Sequence, residues 1–259
     1  MRYIFFISIL TIFLSTLGTK NSCQHKQSYT IPKSISLDKL YINHNPAISH
    51  SPYGYVSDSF YPIGWSLSGI YFAYIIESHP GAASPPEGYN FQMFIKDATN
   101  DSIAWNWSLK NESQFNNYDH RIVYIEEIWA KYKKIFSKSL RNYDIIQLWN
   151  NNLLIKLPAT INQIRYDAKV AKTMGISTLT NSPEIKAEKV IFSMNGLGNK
   201  TVFNRKYEKF GIRNSSVVGL ILSPFSRKSV LLKITESRGW EGPPHKLSIE
   251  LIGCDLINL

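Results

Sequence analysis

From Tyr61 onward the apolar residues come in short runs that alternate with polar ones or end in turns, and one stretch departs from that rhythm. A half-buried strand shows a period of two, because its side chains point to alternate faces. A helix packed on one side shows apolar residues three and four apart. Residues 71–76 are rich in aromatic and branched side chains, as strands are. A Pro/Gly/Ala/Ser loop follows at 79–88, residues 91–95 return as a strand, and Asn100-Asp101 marks a turn. Ile103, Trp105 and Trp107 then alternate with smaller or polar residues.

Between 122 and 140 the period changes. Ile125, Ile128, Trp129, Tyr132, Ile135, Phe136 and Leu140 recur at helical spacing. Glu126 and Glu127 come early and Lys131, Lys133, Lys134 and Lys138 late, the order that suits a helix dipole. Strands then resume. Residues 153–157 end at Pro158, and Ile164, Tyr166, Ala168 and Val170 alternate. Segments 189–194 and 201–207 flank a Gly-bearing hairpin loop at 195–200, and 217–222, 230–234 and 247–252 complete the set. Residues 174–188, with Gly175, Thr178, Thr180, Asn181 and Pro183, read as a long loop. The expected fold is mainly β with one amphipathic α-helix at about 122–140. It is built from repeated β-hairpin or blade units in a propeller-like or sandwich-like arrangement.

The N-terminus speaks of address. Arg2 precedes an uncharged apolar stretch from Tyr3 to Leu14, and Thr16-Leu17-Gly18 offers small residues for a signal peptidase, so residues 1–18 read as a cleaved export signal. The expected location is secreted, periplasmic or bound to the cell envelope. Residues 19–60 are polar and irregular, with a short strand at 40–42, and 61–259 form a single β-rich domain with the helix as an insertion. A retained N-terminal anchor is one alternative, since the uncharged stretch just reaches spanning length. Lipidation of Cys23 is another, although Lys20 and Asn21 fit a lipobox poorly. Export also permits a disulfide between Cys23 and Cys254, the two cysteines of the chain; a free, buried Cys254 is the competing expectation.

The net charge is +10, from 29 basic and 19 acidic side chains, which suits an envelope protein, a polysaccharide or an anionic surface as partner. The densest basic cluster, Lys131, Lys133, Lys134, Lys138 and Arg141, lies on the polar side of the expected helix and reads as a solvated face. No arginine-rich arm or aromatic-basic motif points to nucleic acid. Membrane contact is expected only through an uncleaved signal or a lipidated Cys23.

Two stretches echo each other. Ile75-Ile76-Glu77-Ser78-His79, a loop, Pro85-Pro86 and a strand ending at Asp97 match Ile234-Thr235-Glu236-Ser237-Arg238, a loop, Pro243-Pro244 and a strand ending at Asp255. The second proline stands eleven positions before the aspartate in both copies. Upstream, Trp65-Ser66 and Leu222-Ser223 each precede a turn and a strand. A repeated pattern of this kind means one supersecondary unit used twice. The segment 61–75, with Trp65-Ser66-Leu67-Ser68-Gly69 and Ala73-Tyr74, resembles the Trp-Ser-x-Asp-Gly-x-x-Ala-Tyr motif in blades of TolB-like and WD40-like β-propellers. The stretch from Ile95 to Trp105 resembles the outer hairpin of such a blade, and uncharacterised exported bacterial proteins carry the same motif. Ser68 stands where the turn aspartate is usual. The resemblance implies a β-sheet blade and brings no catalytic residues with it.

Motifs that carry chemistry are scarce. Gly64-Trp65-Ser66-Leu67-Ser68 lacks the second glycine of a nucleophile elbow and precedes a strand where that motif needs a helix. Gly196-Leu197-Gly198-Asn199-Lys200-Thr201 lacks phosphate-loop spacing. His25, His44, His50, His79, His120 and His245 form no zinc signature, and no cofactor is expected. Asn-x-Ser/Thr sequons at Asn100, Asn106, Asn111, Asn199 and Asn214 are what an Asn- and Ser-rich chain produces by chance. The remaining candidates are Glu77, His79 and Glu236, with His245 just after the second loop. A carboxylate and a histidine brought together there would supply a general base and its partner. The expected function is an exported, non-catalytic binding or structural protein. A secreted hydrolase with its site in the Pro-Pro loops and a lipid-anchored envelope protein are the rivals.

Overall fold

In the computed structural model, which describes residues 28–46, 53–78, 89–110, 124–148, 154–177, 181–207, 211–239 and 242–256, the short apolar runs become strands. In chain order the elements are β1 (Ile35–Ser36), α1 (Leu37–His44), β2 (Tyr55–Ser57), β3 (Ser59–Ser66), β4 (Tyr71–Ser78), β5 (Asn90–Asp97) and β6 (Ile103–Lys110). They continue with α2 (Ile125–Asn142), β7 (Ile145–Gln147), β8 (Leu154–Lys156), β9 (Ala159–Ile161), β10 (Ile164–Ile176) and β11 (Pro183–Met194). The last four are β12 (Gly198–Lys206), β13 (Ile212–Leu222), β14 (Lys228–Ser237) and β15 (His245–Asp255). Strands hold 60% of the described residues and helices 14%, which places the fold in the mainly β class.

Three sheets result. The first runs β1-β3-β4-β5-β6, with β7 also on β3; the second runs β2-β15-β14-β13-β8; the third runs β12-β11-β10-β9. Among the described residues every pairing is antiparallel except β2 with β15. Alternation along the strands sorts side chains into three apolar clusters, and these define the layers. Phe60, Trp65, Phe72 and Tyr74 of the first sheet meet Val230, Leu232, Ile234 and Leu251 of the second. On its other face the first sheet offers Ile63, Ala73, Ile75, Phe91 and Met93 to Ile128, Trp129, Phe136 and Leu140 of α2. The far face of the second sheet, with Val217, Leu220, Leu231 and Ile252, packs on Tyr166, Val190 and Phe192 of the third. The order of layers is therefore α2, first sheet, second sheet, third sheet.

The helical stripe forms α2 with one exception: Ile135 faces solvent, because it lies beyond the edge of the buried face defined by Ile128, Trp129, Phe136 and Leu140. Lys131, Lys133, Lys134 and Lys138 are exposed, as a solvated face requires.

Two segments depart from the sequence-based expectation. The strand expected at 40–42 is instead part of helix α1, whose Leu37, Leu40 and Tyr41 are buried against the second sheet. The residues before it are laced to the core as well. Tyr29 donates its hydroxyl to the Ile145 carbonyl at 2.8 Å, and Gln147 accepts from the Thr30 amide at 2.9 Å and donates to the Thr30 carbonyl at 2.8 Å. The loop expected at 174–188 is the end of the β10–β11 hairpin, paired from Tyr166–Met194 out to Ile176–Pro183. Much of β10 is solvent-facing, so its pairing rests on backbone hydrogen bonds that composition does not reveal.

Candidate functional site

The echoed segments occupy equivalent places in two sheets: β3-β4-β5 in the first and β13-β14-β15 in the second are consecutive antiparallel strands. Their leading turns touch. Ser226 donates its hydroxyl to the Gly69 carbonyl at 2.9 Å. Gly69 has φ +68°, and a Cβ there would lie 2.3 Å from Ser226 Oγ, so the residue must be glycine on both counts. Gly64 is dictated by approach alone, since a Cβ would fall 1.9 Å from the Ile146 carbonyl oxygen of β7. Ser66 belongs to this turn: its hydroxyl accepts from the Tyr71 amide at 3.0 Å and shares a 2.9 Å bond with Ser68. It is a structural hydroxyl at a strand end.

At the other end of the strands, Asp58 links the two copies. Its carboxylate accepts from Ser78 at 2.7 Å, and its amide donates to the Leu247 carbonyl at 3.0 Å, next to Glu236 in the register of the second sheet. Yet Glu77 and Glu236 point into different layers. Glu77 follows Ala73 and Ile75 onto the helix-covered face of the first sheet, where it accepts from Tyr61 and Tyr89, each at 2.7 Å. Burial, followed by these bonds to the carboxylate, holds both phenols protonated far above their usual range. Glu236 follows Leu232 and Ile234 onto the face of the second sheet that meets the first sheet and α1. The structure does not bring the two carboxylates together. His79, the third candidate, and Pro85-Pro86 lie outside the described residues.

Glu236 borders a cleft of about 550 Å³ together with Arg213, Asn214, Arg238, His245 and the tip of the β10–β11 hairpin. Its side chain is 4% exposed. Both oxygens are committed: Oε1 accepts from Arg213 Nη1 at 2.5 Å and Oε2 from the Tyr41 hydroxyl at 2.7 Å. Arg213 reaches it because the β13–β14 register shifts between Ile212 and Asn214, which makes Arg213 the extra residue of a bulge and re-aims its side chain. Asn214 Nδ2 donates to the Tyr41 oxygen at 2.7 Å, and Lys172 of β10 donates to Asn214 Oδ1. Tyr41 is pushed well above its usual range by burial and then by its bond to Glu236. On the far wall, Arg238 Nε donates to the buried Glu184 at 3.2 Å. The Gly239 amide donates to His245 Nδ1 at 3.3 Å. Burial, then the Arg213 guanidinium, lowers the His245 pKa, so the ring is neutral with its proton on Nε2.

A second constellation escaped the sequence reading. Lys233 of β14, 1% exposed, is held between the second and third sheets. Its ammonium lies 2.5 Å from Glu188 Oε1, 3.1 Å from Glu250 Oε2 and 4.6 Å from the centre of the Phe203 ring. Tyr207 and Ser215 also donate to Glu188. Burial pushes the Glu188 carboxyl up, but the bonds from Lys233, Ser215 and Tyr207 outweigh it and leave the pKa below the usual value. The signal was a lone lysine inside the apolar run 230–234. Lys233, Arg205, Tyr207 and Glu250 also line an open groove of about 560 Å³ beside β15.

Cys254 is a buried free thiol whose pKa burial pushes up to about 11, far from the reactive range. Cys23 and residues 1–18 lie outside the described residues. The 195–200 segment is the expected hairpin connection, with Gly198, Asn199 and Lys200 already paired in β12. Among the described residues no group of three or more His, Cys, Asp or Glu side chains could hold a metal ion, and no helix is long and apolar enough to cross a membrane. No family model, curated protein or solved structure matches the chain.

Proposed function

We propose that this is an exported protein of the cell envelope or extracellular space, with stacked, sandwich-like sheets, that binds a ligand without turning it over. The carrying observation is the state of Glu236. The carboxylate that borders the cleft at the second Pro-Pro turn is already bound to a guanidinium and a phenol, which suits a brace and not a base. Glu77 is braced by two tyrosines in the same manner. The stacking of three sheets through shared cores supports the sandwich-like reading over the propeller suggested by the 61–105 resemblance. An envelope protein, a polysaccharide or an anionic surface remains the class of partner that the basic charge suits.

The rival is a secreted hydrolase using Glu77, His79 or Glu236, and the shared cleft of Glu236 and His245 favours it. Alanine replacements of Glu77, His79 and Glu236, each checked for folding, are to be screened against esters, peptides and glycosides. The binding reading expects no turnover by any form. Turnover lost specifically in folded Glu236→Ala would replace it with the hydrolase. Mass measurement of the mature N-terminus tests the address: a free amine at Thr19 fits simple export, and a lipidated Cys23 makes the protein a membrane-anchored one.

A further inference from the structure

We propose that the cleft bordered by Arg213, Arg238 and His245 is a binding site for an oxyanion, the carboxylate or phosphate group of a ligand. The inference rests on the binding reading above and names the ligand chemistry for that same cleft.

Most acceptors in the cleft are engaged, while several donors are not. Both Glu236 oxygens are occupied by Arg213 and Tyr41. Asn214 gives its amide to Tyr41 and its oxygen to Lys172. His245 Nδ1 is occupied by the Gly239 amide. Three sets of hydrogen-bonding groups remain without an acceptor among the described residues: Nε and Nη2 of Arg213, Nη1 and Nη2 of Arg238, and Nε2 of His245. All are donors, and two belong to permanent cations. With these acceptors engaged, the free donors select for a group that accepts from several donors at once. Carboxylates and phosphates do so, and guanidinium forks match them in a bidentate manner.

The site is also built in advance. His245 is 6% exposed and neutral, which fixes Nε2–H as a donor. Arg213 is aimed by a bulge and clamped by a buried carboxylate, and Arg238 by Glu184. Side chains already immobilised lose little entropy when a ligand arrives. The cleft, about 550 Å³, exceeds what a lone anion fills, so the oxyanion is one end of a larger molecule.

The test is a titration of the purified full chain with inorganic phosphate and with acetate at constant ionic strength, followed by calorimetry and by 15N signals of the arginine side chains. The expected result is saturable binding of at least one anion, with shifts confined to the Arg213 and Arg238 signals. Saturation by phosphate alone assigns a phosphorylated ligand, and saturation by acetate alone a carboxylate. Arg238→Lys, which keeps the charge and loses the fork, should weaken binding roughly tenfold. Lys131→Gln, on the exposed face of α2, should leave it unchanged. If Arg238→Lys does not fold, the wild-type arginine signals decide alone. Non-saturable titration, unmoved Arg213 and Arg238 signals, or equal weakening by Lys131→Gln overturns the site. Turnover in the activity screen would instead remove the binding reading and leave the anion result to stand by itself.

Discussion

Lys233 shows how much a single side chain can oblige its surroundings. An ammonium buried between two sheets loses its water, and its attraction to a carboxylate compensates only where geometry is good and the remaining protons find partners. Here Glu188 and Glu250 take the charge, Thr235 accepts at 3.2 Å, and the Phe203 ring covers one side. Such a pair adds little net stability over an apolar one, but breaking it leaves a charge stranded. Lys233→Met is therefore expected to cost about 3–5 kcal/mol in denaturant unfolding. The double change Lys233→Met with Glu188→Gln is expected to recover most of that loss, since Gln can keep the bonds to Tyr207 and Ser215. A neutral single variant would show that Glu188 reaches water and that the pair is no brace. Glu236 is balanced in the same way, by Arg213, before any ligand arrives.

At the scale of elements, α2 is a helix because its apolar residues fall on one side, and it stays in place because that side fits the first sheet. Phe136 is the central contact, with ring centroids 5.9 Å from Phe91, 5.1 Å from Trp107 and 5.4 Å from Trp129. Phe136→Ala should cost about 3–5 kcal/mol, measured by urea unfolding, while Ile135→Ala on the exposed side should cost far less. Equal losses would mean that the helix docks by another face. This element was legible because an apolar stripe from Ile125 to Leu140, nearly the full length of an 18-residue helix, admits no other period. Helix α1 was not, since it has only four apolar positions, Leu37, Leu40, Tyr41 and Ile42, in eight residues, and the last three in a row also fit a short strand. The end of the β10–β11 hairpin, within 174–188, hid because solvent-facing strands carry few apolar residues. For the cleft, the echo pointed to Glu236 and His245. Arg213 was invisible because a bulge, which depends on the register of two strands, decides where its side chain goes.

The whole molecule is a stack of layers, and its response to pH is set at the seams. His44, at the end of α1, and His245, at the start of β15, are both held below their ordinary pKa of 6.5. Burial is the first cause for each. The Leu157 backbone and Asp167 oppose it at His44; at His245 the two arginines reinforce it and Glu236 opposes. A histidine with a depressed folded pKa binds fewer protons folded than unfolded, so stability rises with pH across that interval. Their contribution is complete above about pH 6.5 and is lost as pH falls through the folded values. Glu188, also depressed, adds a second loss that begins only as pH drops below its ordinary 4.5. The midpoint of thermal unfolding should therefore be level near neutral pH, decline below about 6.5, and decline again in the acid range. His245→Asn, which can still accept from the Gly239 amide, should shallow the first decline and leave the second unchanged. A level midpoint between about pH 7 and 5.5 would mean that the histidines take up protons without disturbing the seams. An oxyanion in the cleft should flatten the same curve, because a negative charge beside His245 raises its folded pKa toward the unfolded value and so shrinks the first decline.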